Sequence, residues 1–124
     1  MARGHRLKIG RVYDAPDQRD GMRVLVDRLW PRGLRERKAH LNAWCTLGAP
    51  STALRSWYQH DPKKVDEFVR RYRFELQEPE HPIALAHLRD LPKRGPVLLL
   101  TASRQPDISE VAVLAELLHE PTTQ

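Results

Sequence analysis

Residues 7–13, LKIGRVY, alternate apolar and polar positions, the period of a strand with one buried face. DAPDQRDG follows as a loop rich in Asp, with a Pro and a Gly. Residues 22–28, MRVLVDR, are apolar and β-branched at their centre and predict a second strand exposed on neither face, stopped by Pro31 and Gly33. From 35 to about 90 the period becomes helical. In RERKAHLNAWCTL, Leu41, Trp44 and Cys45 fall at helical spacing, and GAPS stops that segment. Ser51 is placed to cap STALRSWYQ, whose Leu54, Trp57 and Tyr58 share one face. Asp61 followed by Pro62 is the sharpest boundary: a capping carboxylate, then a proline at the first helical position, where its missing N–H costs nothing. The helix behind it sets Val65, Phe68, Tyr72 and Leu76 inside and pairs Asp66 with Arg70 and Glu67 with Arg71 outside. EPEHP breaks it, and IALAHLRDL predicts another short helix. In RGPVLLLTAS, Val97 to Leu100 form the continuous apolar run of a strand buried on both faces. A last helix over 107–119 opens with Asp107 three residues before Glu110, a capping-box spacing, and is apolar at Ile108, Val111, Ala112, Ala115 and Leu118.

These elements predict an α/β fold: a single small domain with an about three-stranded, mainly parallel or mixed sheet packed with four to five helices. The helical passage between the second and third predicted strands is long enough for a crossover, which makes those two strands parallel. The partner of the first strand stays open. At 124 residues the chain, 1–124, is read as one domain, with 1–5 and 120–124 as frayed ends.

Composition adds little to the fold and more to the class. The hydrophobic share of 40% and charged share of 30% are those of an ordinary globular protein, while ten prolines exceed average usage. No apolar run approaches the ~18 residues of a membrane span, and MARGHRLKIG lacks the apolar core of a secretory signal, so the expected location is the cytoplasm, away from membranes. The lone Cys45 forms no internal disulfide framework. Lys and Arg exceed Asp and Glu by 21 to 16, giving a net charge of +5. That excess favours anionic partners, and it is dispersed rather than gathered into a basic tail.

In parallel sheets ligands sit outside the carboxyl ends of the strands. The second predicted strand ends in Asp27, Arg28, Trp30, Pro31 and Arg32; the third ends in Thr101, Ser103 and Arg104, ahead of the last helix. Parallel neighbours would bring both sets to one rim. Guanidiniums clamp oxyanions bidentately, so Asp27, Arg28, Arg32, Arg55, Ser103 and Arg104 are the candidate residues of an anion site. Arg55 enters because it lies off the apolar stripe of Leu54 and Trp57.

The segments RVYD, DGMRVLVDRLWPRGL, APSTALRSWYQHDP, FVRRYRFEL and VLLLTASR, in that order, resemble the YeaO-like branch of the domain-of-unknown-function family 488, from about residue 9 to 118. The resemblance implies a small cytoplasmic α/β domain, largely bacterial, without an established cofactor. Its signature polar positions fall on Asp27, Arg28, Arg32, Ser51, Arg55, His60, Asp61, Tyr72, Arg73 and Glu75. Two departures stand out: Thr101 replaces a common aromatic residue, and Ile108 and Ser109 replace a His-Asn pair. If that pair contacts a ligand elsewhere in the family, part of the contact is lost here.

Each candidate has a plainer reading. Asp27 and Arg28 suit structural ion pairs as well as a site. Trp30, Trp44 and Trp57 suit the core better than base stacking, Trp44 and Trp57 lying on apolar stripes. His60 beside Asp61 suggests a base and its orienting carboxylate, but adjacent residues rarely face each other and Asp61 has a capping role. Cys45 sits on an apolar stripe with no basic neighbours to activate it. The six histidines and one cysteine show no metal-ligand spacing, and neither a phosphate-binding loop nor a dinucleotide glycine fingerprint occurs, so no cofactor or metal is implied. No motif specifies an oligomeric state. Three functions remain: binding, with or without processing, of a phosphorylated or carboxylated small molecule such as a nucleotide; a nucleic-acid-associated module; and a protein-interaction or regulatory domain in which DRLWPRG is scaffold. Convergence of Arg28, Arg32, Arg55 and Arg104 in one pocket favours the first, an open basic groove the second, and ion pairing with Asp27, Asp61 and Glu75 the third.

Overall fold

The computed structural model describes residues 7–77 and 81–119. The ends expected to fray, 1–5 and 120–124, lie outside these described residues. Four strands form one parallel sheet: β1 (Leu7–Arg11), β2 (Met22–Leu25), β3 (Ala43–Trp44) and β4 (Val97–Thr101), in the order β1-β4-β2-β3. Among the described residues five α-helices follow the chain as α1 (Glu36–Ala39), α2 (Thr52–Tyr58), α3 (Val65–Glu75), α4 (His81–Asp90) and α5 (Glu110–His119). β2 and β4 are parallel neighbours, with Val24 opposite Leu99 and Leu25 opposite Leu100. β1 pairs with the other side of β4, Ile9 opposite Leu99.

Strand alternation divides the apolar residues between two faces. Val24, Val26, Val97 and Leu99 point to one side and meet the helices through Leu54, Tyr58, Phe68, Tyr72, Leu88 and Leu114. Rings of Tyr58 and Phe68 stack there with centroids 4.0 Å apart. Leu25, Leu98 and Leu100 point to the other side with Val12. Among the described residues no long helix covers that second face. Trp30, Leu34 and Leu41, from the passage that begins with DRLWPRG, pack over it instead. The Trp30 indole donates to the Leu34 carbonyl at 2.7 Å and stands edge-on to Trp44 at 5.4 Å, so the tight turn at Pro31 and Gly33 is locked as a cover.

Arg23 also alternates onto the second face, and is 5% exposed. Its guanidinium meets Asp20 at 2.6 Å and donates to the Ala39 carbonyl at 3.2 Å, tying β2 to both the loop before it and the end of α1. Gly21, at the entrance to β2, has φ +71, and a Cβ there would lie 2.3 Å from the Pro96 carbonyl oxygen. Only glycine lets the Met22 N–H reach that oxygen at 2.9 Å and start the β2–β4 ladder.

The structure corrects the reading of 35–47. The only helix there is the single turn α1, closed by His40 at φ +50, and β3 follows. Leu41 and Cys45 pack on opposite faces of the sheet, while Trp44 is 43% exposed; their helical spacing is coincidental. Trp57 is half-buried, with the Arg71 guanidinium 4.2 Å from its ring centroid. Glu67 pairs with both Arg70 and Arg71, in place of the expected Asp66–Arg70 pair. Asp107 lies in a 3-10 turn, Pro106–Ile108, and makes no capping box with Glu110.

The caps predicted at Ser51 and Asp61 form. Ser51 Oγ accepts from the Leu54 N–H at 3.1 Å, and the Glu75 carboxylate receives the Ser51 N–H at 2.8 Å together with its hydroxyl. Ser51→Ala is therefore expected to cost about 1 kcal/mol, read as a lowered urea midpoint with unchanged slope. An unchanged midpoint would show that water replaces the cap without loss.

Candidate functional site

The parallel pairing of β2 and β4 brings their carboxyl ends together. Just past β2, the Asp27 carboxylate accepts the Ala102 N–H at 3.0 Å, directly joining the two corners. The Asp27 carbonyl in turn accepts the Trp44 indole N–H at 2.6 Å, which adds β3 to the same rim. Thr101, the last residue of β4, donates its hydroxyl to Glu110 at 2.8 Å. Glu110 opens α5 and is 5% exposed, as is Asp27.

The two acids meet through their side chains. Burial, then the charge of Asp27, pushes the Glu110 carboxyl up to about 8. Burial also raises Asp27, against the opposing bond from Ala102. Two carboxylates this close cannot both ionise in a dry site. Burial and mutual repulsion thus both favour keeping a proton on the pair, and Glu110 is the partner pushed up furthest.

Arg55 and His60 stand at the mouth of this pair, near enough to act electrostatically on Asp27. α2 carries Arg55 on its exposed side. His60 arrives by a different device: Gln59 and His60 take φ +49 and +56 in succession, an uncommon left-handed pair that reverses the chain beyond α2. The His60 ring lies 5.5 Å from that of Tyr58, whose hydroxyl donates to the Ile108 carbonyl at 2.7 Å. Partial desolvation, then the Arg55 charge, lowers the His60 pKa, with Asp27 opposing. Both effects favour the neutral imidazole. Asp61 does not orient it; its carboxylate caps the next turn by accepting from the Lys63 N–H at 3.0 Å.

The remaining sequence candidates divide. Arg28 donates to the Pro50 and Ala49 carbonyls at 3.0 and 3.2 Å and holds the loop before α2. Ser103 braces its own turn: its hydroxyl accepts from the Gln105 N–H at 3.1 Å, and its carbonyl accepts from Arg11 at 3.0 Å. The exposed side chains of Arg32 and Arg104 make no ion pair among the described residues. The Tyr72 hydroxyl donates to the Gly48 carbonyl and Glu75 braces Ser51, which gives these two signature positions structural roles. Burial raises the Cys45 thiol, opposite to what a nucleophile needs. Among the described residues no group of His, Cys, Asp and Glu could hold a metal.

Sequence reasoning missed Glu110 as a site residue. A signal was present: positions 110, 113, 114 and 117 follow the inner stripe of α5, so an acid occupies a core-facing place at the start of an apolar helix.

The profile of the family described as "Inactive DUF488-N3 subclade" matches residues 6–124. The chain belongs to the DUF488 family. Among its relatives is the uncharacterised protein YeaO of Escherichia coli K12, 36% identical over 112 residues that cover 90% of this chain and 96% of YeaO. The uncharacterised proteins Rv3073c of Mycobacterium tuberculosis H37Rv and Mb3100c of Mycobacterium bovis are each 46% identical over 119 residues, covering 96% of this chain and 98% of theirs. No solved structure matches the chain. In this DUF488 member Thr101 donates to Glu110, the Ile108 main-chain carbonyl accepts from Tyr58, and Ser109 donates to the Pro106 carbonyl at 2.7 Å.

Among the described residues no helix is long and apolar enough to cross a membrane.

Proposed function

We propose that this protein is a binding domain for a small phosphorylated or carboxylated molecule, held without catalysis at the carboxyl rim of its sheet. The observation that supports this reading is the bond from the Ala102 N–H to the Asp27 carboxylate, which joins the end of β2 to the end of β4. A proton kept on the Asp27–Glu110 pair removes half of the charge that it would otherwise place there. Arg55 acts electrostatically on Asp27, and Arg32 and Arg104, exposed and in no ion pair among the described residues, are the cations left to meet an anion. His60, favoured in its neutral form, adds a donor or acceptor at the mouth. The word "inactive" in the matching subclade's description favours binding over turnover.

Titration with inorganic phosphate at low ionic strength, followed by amide chemical shifts, tests the reading. Shifts are expected at 27 and 101–104, and Arg55→Ala is expected to weaken binding about tenfold with an unchanged melting temperature. Equal affinity in the variant, or shifts confined to other parts of the chain, would remove the rim as the site.

A further inference from the structure

A cleft of about 620 Å³ opens at the carboxyl end of β1, between the loop leaving that strand and the passage from Gly33 to α1. Its lining is apolar at Pro16 and Leu34, with Tyr13 41% exposed beside them. Arg35 and Lys38, three residues apart, add two exposed cations, neither in an ion pair among the described residues. Asp14 is the one carboxylate among the lining residues.

The cleft is built before any ligand arrives. The Tyr13 hydroxyl donates to the Arg32 carbonyl at 2.7 Å, and the Arg11 guanidinium lies 5.4 Å from the Tyr13 ring centroid, so the ring is held in place. Leu34 is anchored from behind by the Trp30 indole. Gly33 has φ +76, and nothing lies within 4 Å of where its Cβ would stand. A bound molecule can therefore approach the bare backbone there. Fixed walls reduce the ordering cost of binding.

We infer that this cleft binds a phosphate ester of a planar ring compound of nucleotide size, with Arg35 and Lys38 on the phosphate and Tyr13 against the ring. Size selects the class: small-molecule sites run from about 300 to 1,000 Å³, and inorganic phosphate would leave most of this one empty. Composition selects it again, since an apolar wall with an aromatic ring beside two cations suits a ligand that is flat at one end and anionic at the other. The cleft's lining includes none of Asp27, Glu110, Arg55 or His60, and of Arg32 it uses only the carbonyl that holds Tyr13, so its cations are separate from those of the rim.

Calorimetric titration with AMP, ribose 5-phosphate and inorganic phosphate, paired with amide-shift mapping, tests the inference. AMP is expected to bind tighter than ribose 5-phosphate, with shifts at 12–16 and 33–40. Arg35→Ala with Lys38→Ala should weaken AMP about tenfold or more while leaving the melting temperature unchanged, both side chains being exposed. Tyr13→Ala should abolish the preference for AMP over ribose 5-phosphate, and Tyr13→Phe should keep it. Arg55→Ala should leave AMP binding at the cleft intact, which separates this site from the rim. Equal affinity of wild type for AMP and ribose 5-phosphate, shifts elsewhere, or single-stranded oligonucleotides binding about a hundredfold tighter than AMP with a steep salt dependence would overturn the inference.

Discussion

Asp20→Ala is expected to destabilise the protein by about 3–5 kcal/mol, because it strands the Arg23 guanidinium under the second face of the sheet. The two side chains are 14% and 6% exposed and meet at 2.6 Å. Arg23 has one further bond, to the Ala39 carbonyl, and its other terminal nitrogen is buried without a hydrogen-bond partner among the described residues. Asp20 is therefore the charge that makes this burial tolerable. It also accepts the Asp17 N–H at 2.9 Å, completing the cap of the 3-10 turn Gln18–Asp20. The expected loss appears in urea unfolding as a lower midpoint. Adding Arg23→Met should recover much of it, since an apolar side chain of similar length needs no partner there. If Asp20→Ala costs less than about 1 kcal/mol, the guanidinium reaches water and the pair is a surface pair in effect.

Glu110→Gln is expected to stabilise the protein at pH 9. The Glu110 carboxyl titrates near 8 in the fold against an ordinary 4.5, so the fold prefers its protonated form. The sign follows from linkage: that contribution is complete below about 4.5 and is lost as the pH rises through about 8. Asp27, also raised, acts in the same direction. His60 is lowered and has the opposite sign, but its effect falls below 6.5. Between pH 6.5 and 9 the wild type should thus lose on the order of 2 kcal/mol. Glutamine keeps a donor for Asp27 and an acceptor for Thr101 without a charge to expose. Thermal melts at both pH values check this: the variant's curve should be nearly flat and cross that of the wild type. A variant that falls as steeply as the wild type would show that the proton sits elsewhere.

Much of the frame was legible in the sequence because its signals are long and redundant. Val97 to Leu100 form an apolar run, and the β-branched centre of 22–28 reads the same way, so both central strands and their parallel pairing followed. Ser51 and Asp61 announced their caps through residue types that act locally. β3 was illegible for a physical reason: two residues are too few to show alternation, and its place is fixed by the bonds Asn42 and Cys45 make to the Arg23 and Leu25 carbonyls. DRLWPRG announced a special structure but not its kind. Of its charges, Arg28 holds carbonyls and Asp27 enters the buried pair, while Trp30 serves the cover over the second face. Burial of Glu110 ran against the strong tendency of glutamates to stay in water, so only its place on the α5 stripe hinted at it.

The order β1-β4-β2-β3 puts the last strand to be synthesised at the centre of the sheet. β1 has no partner among the described strands except β4, some ninety residues later in the chain. A nascent chain leaving the ribosome must hold β1 unpaired until residue 101 has emerged, several seconds at typical elongation rates. Closure then depends on contacts of long sequence separation, which are slow to form. The protein's most vulnerable moment is thus its birth, when the apolar faces wait for the segment that zips them shut.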